Sequence, residues 1–222
     1  MNEKLIIKEI ERLVKNHFLE ESSGHDWWHS HRVRQMGLQI AKNESADLFI
    51  VEVSALLHDV GDYKFHDGDE EIGGKIINKW LINIGIPPKH IDKILEIIVN
   101  LSFMKSLKNN RTITKHSLPI EAKILNDSDR LDALGAIGIA RTFAFGGFFK
   151  REIHNPIIPP NINITHEEYK KKNSTSINHF YEKLLTLKDT MLTTTGKKLA
   201  QERHEYMKTY LDRFFDEWDG TK

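Results

Sequence analysis

Residues 48–59 read LFIVEVSALLHD, and this stretch decides the fold. Leu48 to Leu57 is so apolar that it reads as a helix buried on all sides rather than as a surface element. The helix runs out at His58 and Asp59, just before Gly61. Two polar, metal-capable side chains are thereby carried into the interior, where polar groups need partners.

Working outward from that helix, Asp47 or Ser45 can cap its start. Upstream, Asp26 stands where an N-cap would accept the first free amides of a helix reaching about Lys42. Three- and four-residue spacing puts His29, Arg32, Val33 and Met36 on one face of it. His29 points inward with the apolar stripe, whereas His31 lies about 200 degrees around the helix and faces outward. The chain opens with an amphipathic helix marked by Leu5, Ile6, Ile10, Leu13 and Val14, and Ser22-Ser23-Gly24 breaks it.

Downstream, helices are readable over about 70–84, 88–101, 118–126 running on toward Phe145, 165–187 and 195–218. Pro88 and Pro119 mark helix starts. Residues 146–163, with Gly146-Gly147, Pro156 and Pro159-Pro160, read as a long surface loop. Residues 165–218 then form a C-terminal helical pair packed on the core. No alternating Val, Ile or Thr run is long enough for a strand, and no repeat is visible. The expectation is an all-α helical bundle, one domain over 1–222.

Composition narrows the function. The 32 Lys and Arg residues balance the 32 Asp and Glu residues, so no overall field draws the chain to a nucleic-acid polymer or an anionic membrane. With no cysteine, thiolate sites and disulfides are excluded, and metal ligands must be His, Asp or Glu. Charges interleave with the apolar residues of the N-terminus, which is neither a signal peptide nor a membrane span. A cytoplasmic location is expected; the oligomeric state is not specified.

His-Asp occurs three times, at His25-Asp26, His58-Asp59 and His66-Asp67, where about one chance occurrence is expected. The apolar helix in front of it singles out His58-Asp59. A third segment, DSDRLDALG over residues 127–135, crowds Asp127, Asp129 and Asp132 onto one helix. Carboxylates this close repel unless a cation lies among them. Helical phase relative to Leu131 and Leu134 favours Asp129 as the ligand and leaves Asp127 a capping role. Imidazole with carboxylate suits Mn, Fe, Ni, Co or Mg, and a carboxylate-rich set leans to the octahedral ions.

The ordered set H-x-x-R-V, H-D and D-x-D-R-L-D-A-L-G resembles the HD superfamily of metal-dependent phosphohydrolases. GHDWWHSHRV, LLHDVGDYKF, IIVNLSF and DRLDALGAIGIARTFAFGG resemble its YpgQ-like branch, and the likeness extends over most of the chain. One departure is Ser128, where many relatives have alanine; neither neighbouring carboxylate is touched. The resemblance implies one divalent metal, with Mn favoured, held by His29, His58, Asp59 and Asp129. It also implies cleavage of a nucleoside triphosphate to a nucleoside monophosphate and pyrophosphate.

Asp62, three residues after Asp59, matches an acidic position proposed as an acid/base in related enzymes. Arg32, one turn from His29, can bridge to a carboxylate or a substrate phosphate. Lys64, Arg141 and Lys183 are further candidates for binding a small phosphorylated substrate. Two alternatives stand beside this reading. One is a dinuclear-iron oxygenase on the same scaffold, with Asp62, His66 and His90 as additional ligands; the other is a metal-stabilised nucleotide sensor without turnover.

Overall fold

The computed structural model describes residues 2–19, 26–60, 72–101, 118–162 and 174–222. Among the described residues the chain is helical and contains no strand. It divides into two compact units, Met1–Asp129 and Arg130–Lys222. No single helix among these residues is long and apolar enough to cross a membrane.

The first unit contains α1 (Glu3–His17), α2 (Trp27–Asn43), α3 (Leu48–Leu57), α4 (Ile72–Ile84) and α5 (Pro88–Leu101), and most of α6 (Ile120–Leu131). As its composition dictates, α3 is central: Phe49, Ile50, Val51, Val53 and Ala55 to Leu57 are all buried. It packs against α1, α2 and α5. Ile6, Ile10 and Val14 of α1, Val33 of α2, Ile77 and Leu81 of α4, Ile94 and Ile97 of α5 and Leu125 of α6 complete one core with it. Each such side chain gains roughly 1.5–3 kcal/mol from leaving water.

Caps locate the helices that matter most. The Asp26 carboxylate accepts the His29 amide at 2.8 Å, and the Asp47 carboxylate accepts that of Ile50 at 3.1 Å. Of the two caps considered for α3, Asp47 is therefore used; Ser45 instead turns the chain at φ 53°. The only half-buried residue inside the core run of α3 is Glu52, and Arg34 of α2 meets it. The Arg34 Nε donates to Glu52 Oε1 at 2.8 Å while Nη1 donates to Glu11 Oε1 of α1 at 2.6 Å. One guanidinium thus ties three helices.

The second unit contains α7 (Gly135–Phe148), α8 (Ser176–Glu182), a 3₁₀ helix (Leu184–Thr190) and α9 (Thr194–Trp218). Phe180 is fully buried, with the Phe143 and Tyr210 rings each 6.1 Å away. Three expectations are corrected here. The helix read as continuing from 118 to Phe145 is two helices, because the chain turns after Leu131 and Gly135 adopts φ 70°. A Cβ on Gly138 would lie 2.3 Å from the Ala133 carbonyl oxygen, so that break also requires glycine inside α7.

The loop expected from residue 146 begins after Phe148. Gly146 belongs to the last turn of α7, where a Cβ would lie 2.2 Å from Ser176 Oγ; close approach, not loop flexibility, explains this glycine. Of the helix read over 165–187, residues 165–173 lie outside the described residues; the rest is α8 followed by the 3₁₀ segment, and the Thr175 hydroxyl caps α8 by accepting the Asn178 amide at 3.1 Å.

Candidate metal centre

Three helices of the first unit bring four side chains together. His29 projects from the first turn of α2, His58 and Asp59 follow the last turn of α3, and Asp129 lies near the end of α6. His29 Nε2 is 3.2 Å from His58 Nε2, 3.2 Å from Asp59 Oδ2 and 3.4 Å from Asp129 Oδ1. His58 Nε2 is 3.4 Å from Asp59 Oδ1 and 3.9 Å from Asp129 Oδ1. Ligand atoms of His29, His58 and Asp59 all lie within 4.8 Å of one another.

The tautomer of His58 follows from its surroundings. Its Nδ1 lies 2.8 Å from the Ala55 carbonyl oxygen, which can only accept, so Nδ1 carries the proton. With Nδ1 engaged by that carbonyl, Nε2 faces His29 and the carboxylates and is the ring nitrogen available to a cation. This is the arrangement that prepares histidine for a cation. Two ring nitrogens 3.2 Å apart beside two carboxylates need a proton or a positive ion among them. The donor set, two imidazoles and two carboxylates with no sulfur, fits a divalent cation of the Mn, Fe, Co, Ni or Mg group.

His29, His58 and Asp59 are buried, and the Asp129 side chain is 38% exposed. Opposing effects act on the Asp129 carboxyl. Withdrawal from water raises its pKa, but a hydrogen bond from His29 and the charges of His58 and His29 outweigh that effect and the repulsion of Asp59, lowering it to about 2. It is an anion at any physiological pH. Asp127 has other surroundings: it is fully buried and accepts the Asn126 side-chain amide at 2.9 Å.

The remaining sequence candidates divide. Arg32 is half-buried on α2, three residues beyond His29. Asp62, Lys64 and His66 lie outside the described residues. His31 packs beside Trp27 and Trp28, with ring centroids 5.8 Å away in both cases. His90 sits 6.0 Å from the Phe49 ring rather than among carboxylates. In the second unit, Arg141 is bound by Asp132, with Nη1 2.8 Å from Oδ2 and 3.3 Å from the carbonyl oxygen. Lys183 is exposed at the C-cap of α8.

Sequence reasoning did not identify the Ala55 carbonyl as the group that orients His58. Its three-residue offset on a helix was the available signal, but a backbone acceptor leaves no residue-type signature.

Comparison with known proteins places this cluster inside a matched family domain. The model of the HD domain family matches residues 27–134, the stretch that contains all four clustered residues. The chain is 36% identical to YpgQ of Bacillus subtilis over 207 residues, 93% of this chain and 91% of that protein. It resembles the crystal structure of an HD-superfamily hydrolase from Bacillus thuringiensis with a TM-score of 0.77 and 38% identity, covering 98% of this chain and 99% of the other. It likewise resembles the crystal structure of B. subtilis YpgQ in complex with ADP, with a TM-score of 0.75 and 33% identity over 98% and 96% of the two chains. The family match over the stretch that holds the ordered histidines and aspartates, with the likeness to these relatives along nearly the whole chain, places this protein in the HD-domain superfamily of hydrolases, in its YpgQ-like branch.

Proposed function

We propose that the protein is a metal-dependent nucleoside-triphosphate pyrophosphohydrolase. Water attacks the α-phosphorus, the bond to the bridging α–β oxygen breaks, and a nucleoside monophosphate and pyrophosphate leave. The observation that carries the hydrolase reading is the convergence of His29, His58, Asp59 and Asp129, with His58 Nδ1 held by the Ala55 carbonyl and Nε2 turned toward the carboxylates. The nucleotide class is supported by the ADP complex of YpgQ.

His29, His58, Asp59 and Asp129 would hold the ion, for which manganese is the favoured identity. When bound, a divalent ion neutralises charge developing on phosphoryl oxygens and acidifies water. The protein contributes the fixed frame. Burial of His29 and Asp59 excludes bulk solvent from their side of the centre, and the Ala55 carbonyl holds the His58 ring in one tautomer. Arg32, one turn from His29, supplies a cation for a substrate phosphate. Asp62 is assigned the proton transfer on the strength of the family resemblance, and Lys64 a substrate contact for its charge and its nearness to Asp59 in sequence. Arg141, whose Nη1 is engaged by Asp132, and exposed Lys183 stand as further candidates for a substrate phosphate.

A panel of nucleotides incubated with metal-stripped protein and added Mn(II), read by product mass, tests the reading. Wild-type protein releases nucleoside monophosphate and pyrophosphate without consuming O2, and Asp59→Ala loses this by about 10²-fold or more. Equal rates and products from the two proteins overturn it. Release of inorganic phosphate alone retains the hydrolase and corrects the bond.

A further inference from the structure

The spread of the four side chains depends on how closely α2, α3 and α6 approach, since each contributes to the cluster. The three helices meet at Gly37. This glycine is buried in α2, eight residues after His29. A Cβ built on it would lie 3.1 Å from Val51 Cγ1 of α3, 3.4 Å from Ser128 Oγ of α6 and 4.0 Å from Ala55 Cβ of α3.

Only the Val51 contact is closer than ordinary van der Waals packing, and Val51 does not yield readily. Val51 is fully buried, and a β-branched side chain in a helix is confined to essentially one χ1 rotamer. Ser128 Oγ is tied to the Ile124 carbonyl oxygen at 2.7 Å. Ala55 is the residue whose carbonyl orients His58, and Ser128 immediately precedes Asp129. An added methyl group would therefore press on α3 at Val51, the helix that carries Ala55 and ends at His58, while filling the space up to Ser128 beside Asp129. Close-packed interiors answer such overpacking by shifting backbone rather than by absorbing it.

We propose that Gly37 is a positioning residue for the metal centre: the absence of a side chain sets the α2–α3–α6 spacing at which His29 reaches His58, Asp59 and Asp129. This rests on the reading of that cluster as metal-binding. Helix propensity argues the other way, because alanine is the better residue inside a helix. A glycine with no packing role would therefore give a more stable Gly37→Ala protein with unchanged metal affinity.

The test is titration of the full metal-stripped chain with Mn(II), followed by the electron paramagnetic resonance of free Mn(II), and with Co(II), followed by visible absorption. Gly37→Ala weakens Mn(II) binding by about tenfold or more, the scale on which supporting residues act, and alters the Co(II) bands. Val51→Ala alone stays within about threefold of wild type, and Gly37→Ala/Val51→Ala returns to that range because the space opposite the new methyl has been vacated. If Gly37→Ala does not fold, the double variant decides: affinity near wild type sustains the proposal, and weak binding overturns it. Wild-type affinity and an unaltered Co(II) spectrum in Gly37→Ala also overturn the placement of Gly37, while the metal reading survives. A wild-type chain that binds neither ion overturns the metal reading itself.

Discussion

Asp127 and Asp129 stand two residues apart on α6, chemically identical in sequence, and meet different surroundings. Asp129 reaches His29 and His58, whereas Asp127 is buried against Asn126. Asp129→Asn removes an anion from the cluster and is expected to weaken Mn(II) binding by about 10²-fold. Asp127→Asn keeps affinity within about tenfold of wild type. Isothermal titration of the two variants checks the difference, and equal losses would remove the distinction between them. The depressed pKa of Asp129 has a consequence in the metal-free chain. Its contribution to stability is complete above the usual carboxylate value near 3.8 and is lost only as pH falls toward about 2.

The placement of α6 relative to α3 and α5 depends on Glu121, in the first turn of α6. Its carboxylate accepts from Lys93 Nζ at 2.9 Å and from the Asp47 amide at 3.3 Å. Burial pushes the Glu121 carboxyl up, but the Lys93 hydrogen bond and backbone amides more than offset it, so its pKa lies below the ordinary 4.5. The group is more easily kept ionised in the folded state, so its stabilisation is present above 4.5 and disappears as pH falls through the lowered value. Glu121→Gln is expected to cost about 1 kcal/mol at pH 7, with the half-buried Lys93 partner limiting the loss. Urea titrations at pH 7 and pH 3 should show that cost shrinking at the lower pH; a constant difference would assign it to packing. Gly37 is the complementary device at this scale, separating helices by a distance where Glu121 and Arg34 fix them by charge.

For the whole chain, cluster and core lie in the same unit, so ligand binding and folding are linked. Free Mn(II) at 100 times its dissociation constant stabilises a native-state site by about 2.7 kcal/mol. For a chain of this size that corresponds to a rise of roughly 5–10 °C in melting temperature. The shift is expected in wild type and absent in Asp59→Ala, measured by circular dichroism with and without a chelator. A shift of equal size in both proteins would move the stabilising site elsewhere.

The sequence alone determined the all-helical fold and the four residues that cluster. Periodicity and apolar content mark α2 and α3, and Asp26 sets the register that turns His29 inward. Those are local properties, written in adjacent residues. The break between α6 and α7 was not legible, because Ala133, Leu134 and Gly135 continue an apolar pattern, while the positive φ of Gly135 and the close approach of Gly138 to the Ala133 carbonyl appear only in the folded chain. Gly146 read as a loop residue because a glycine pair looks the same whether it frees the chain or admits Ser176. The tautomer of His58, the split between Asp127 and Asp129 and the crossing at Gly37 depend on atoms distant in sequence or on backbone carbonyls, which residue types do not encode. Tertiary structure decided these because donor distance and steric exclusion arise only when the helices pack.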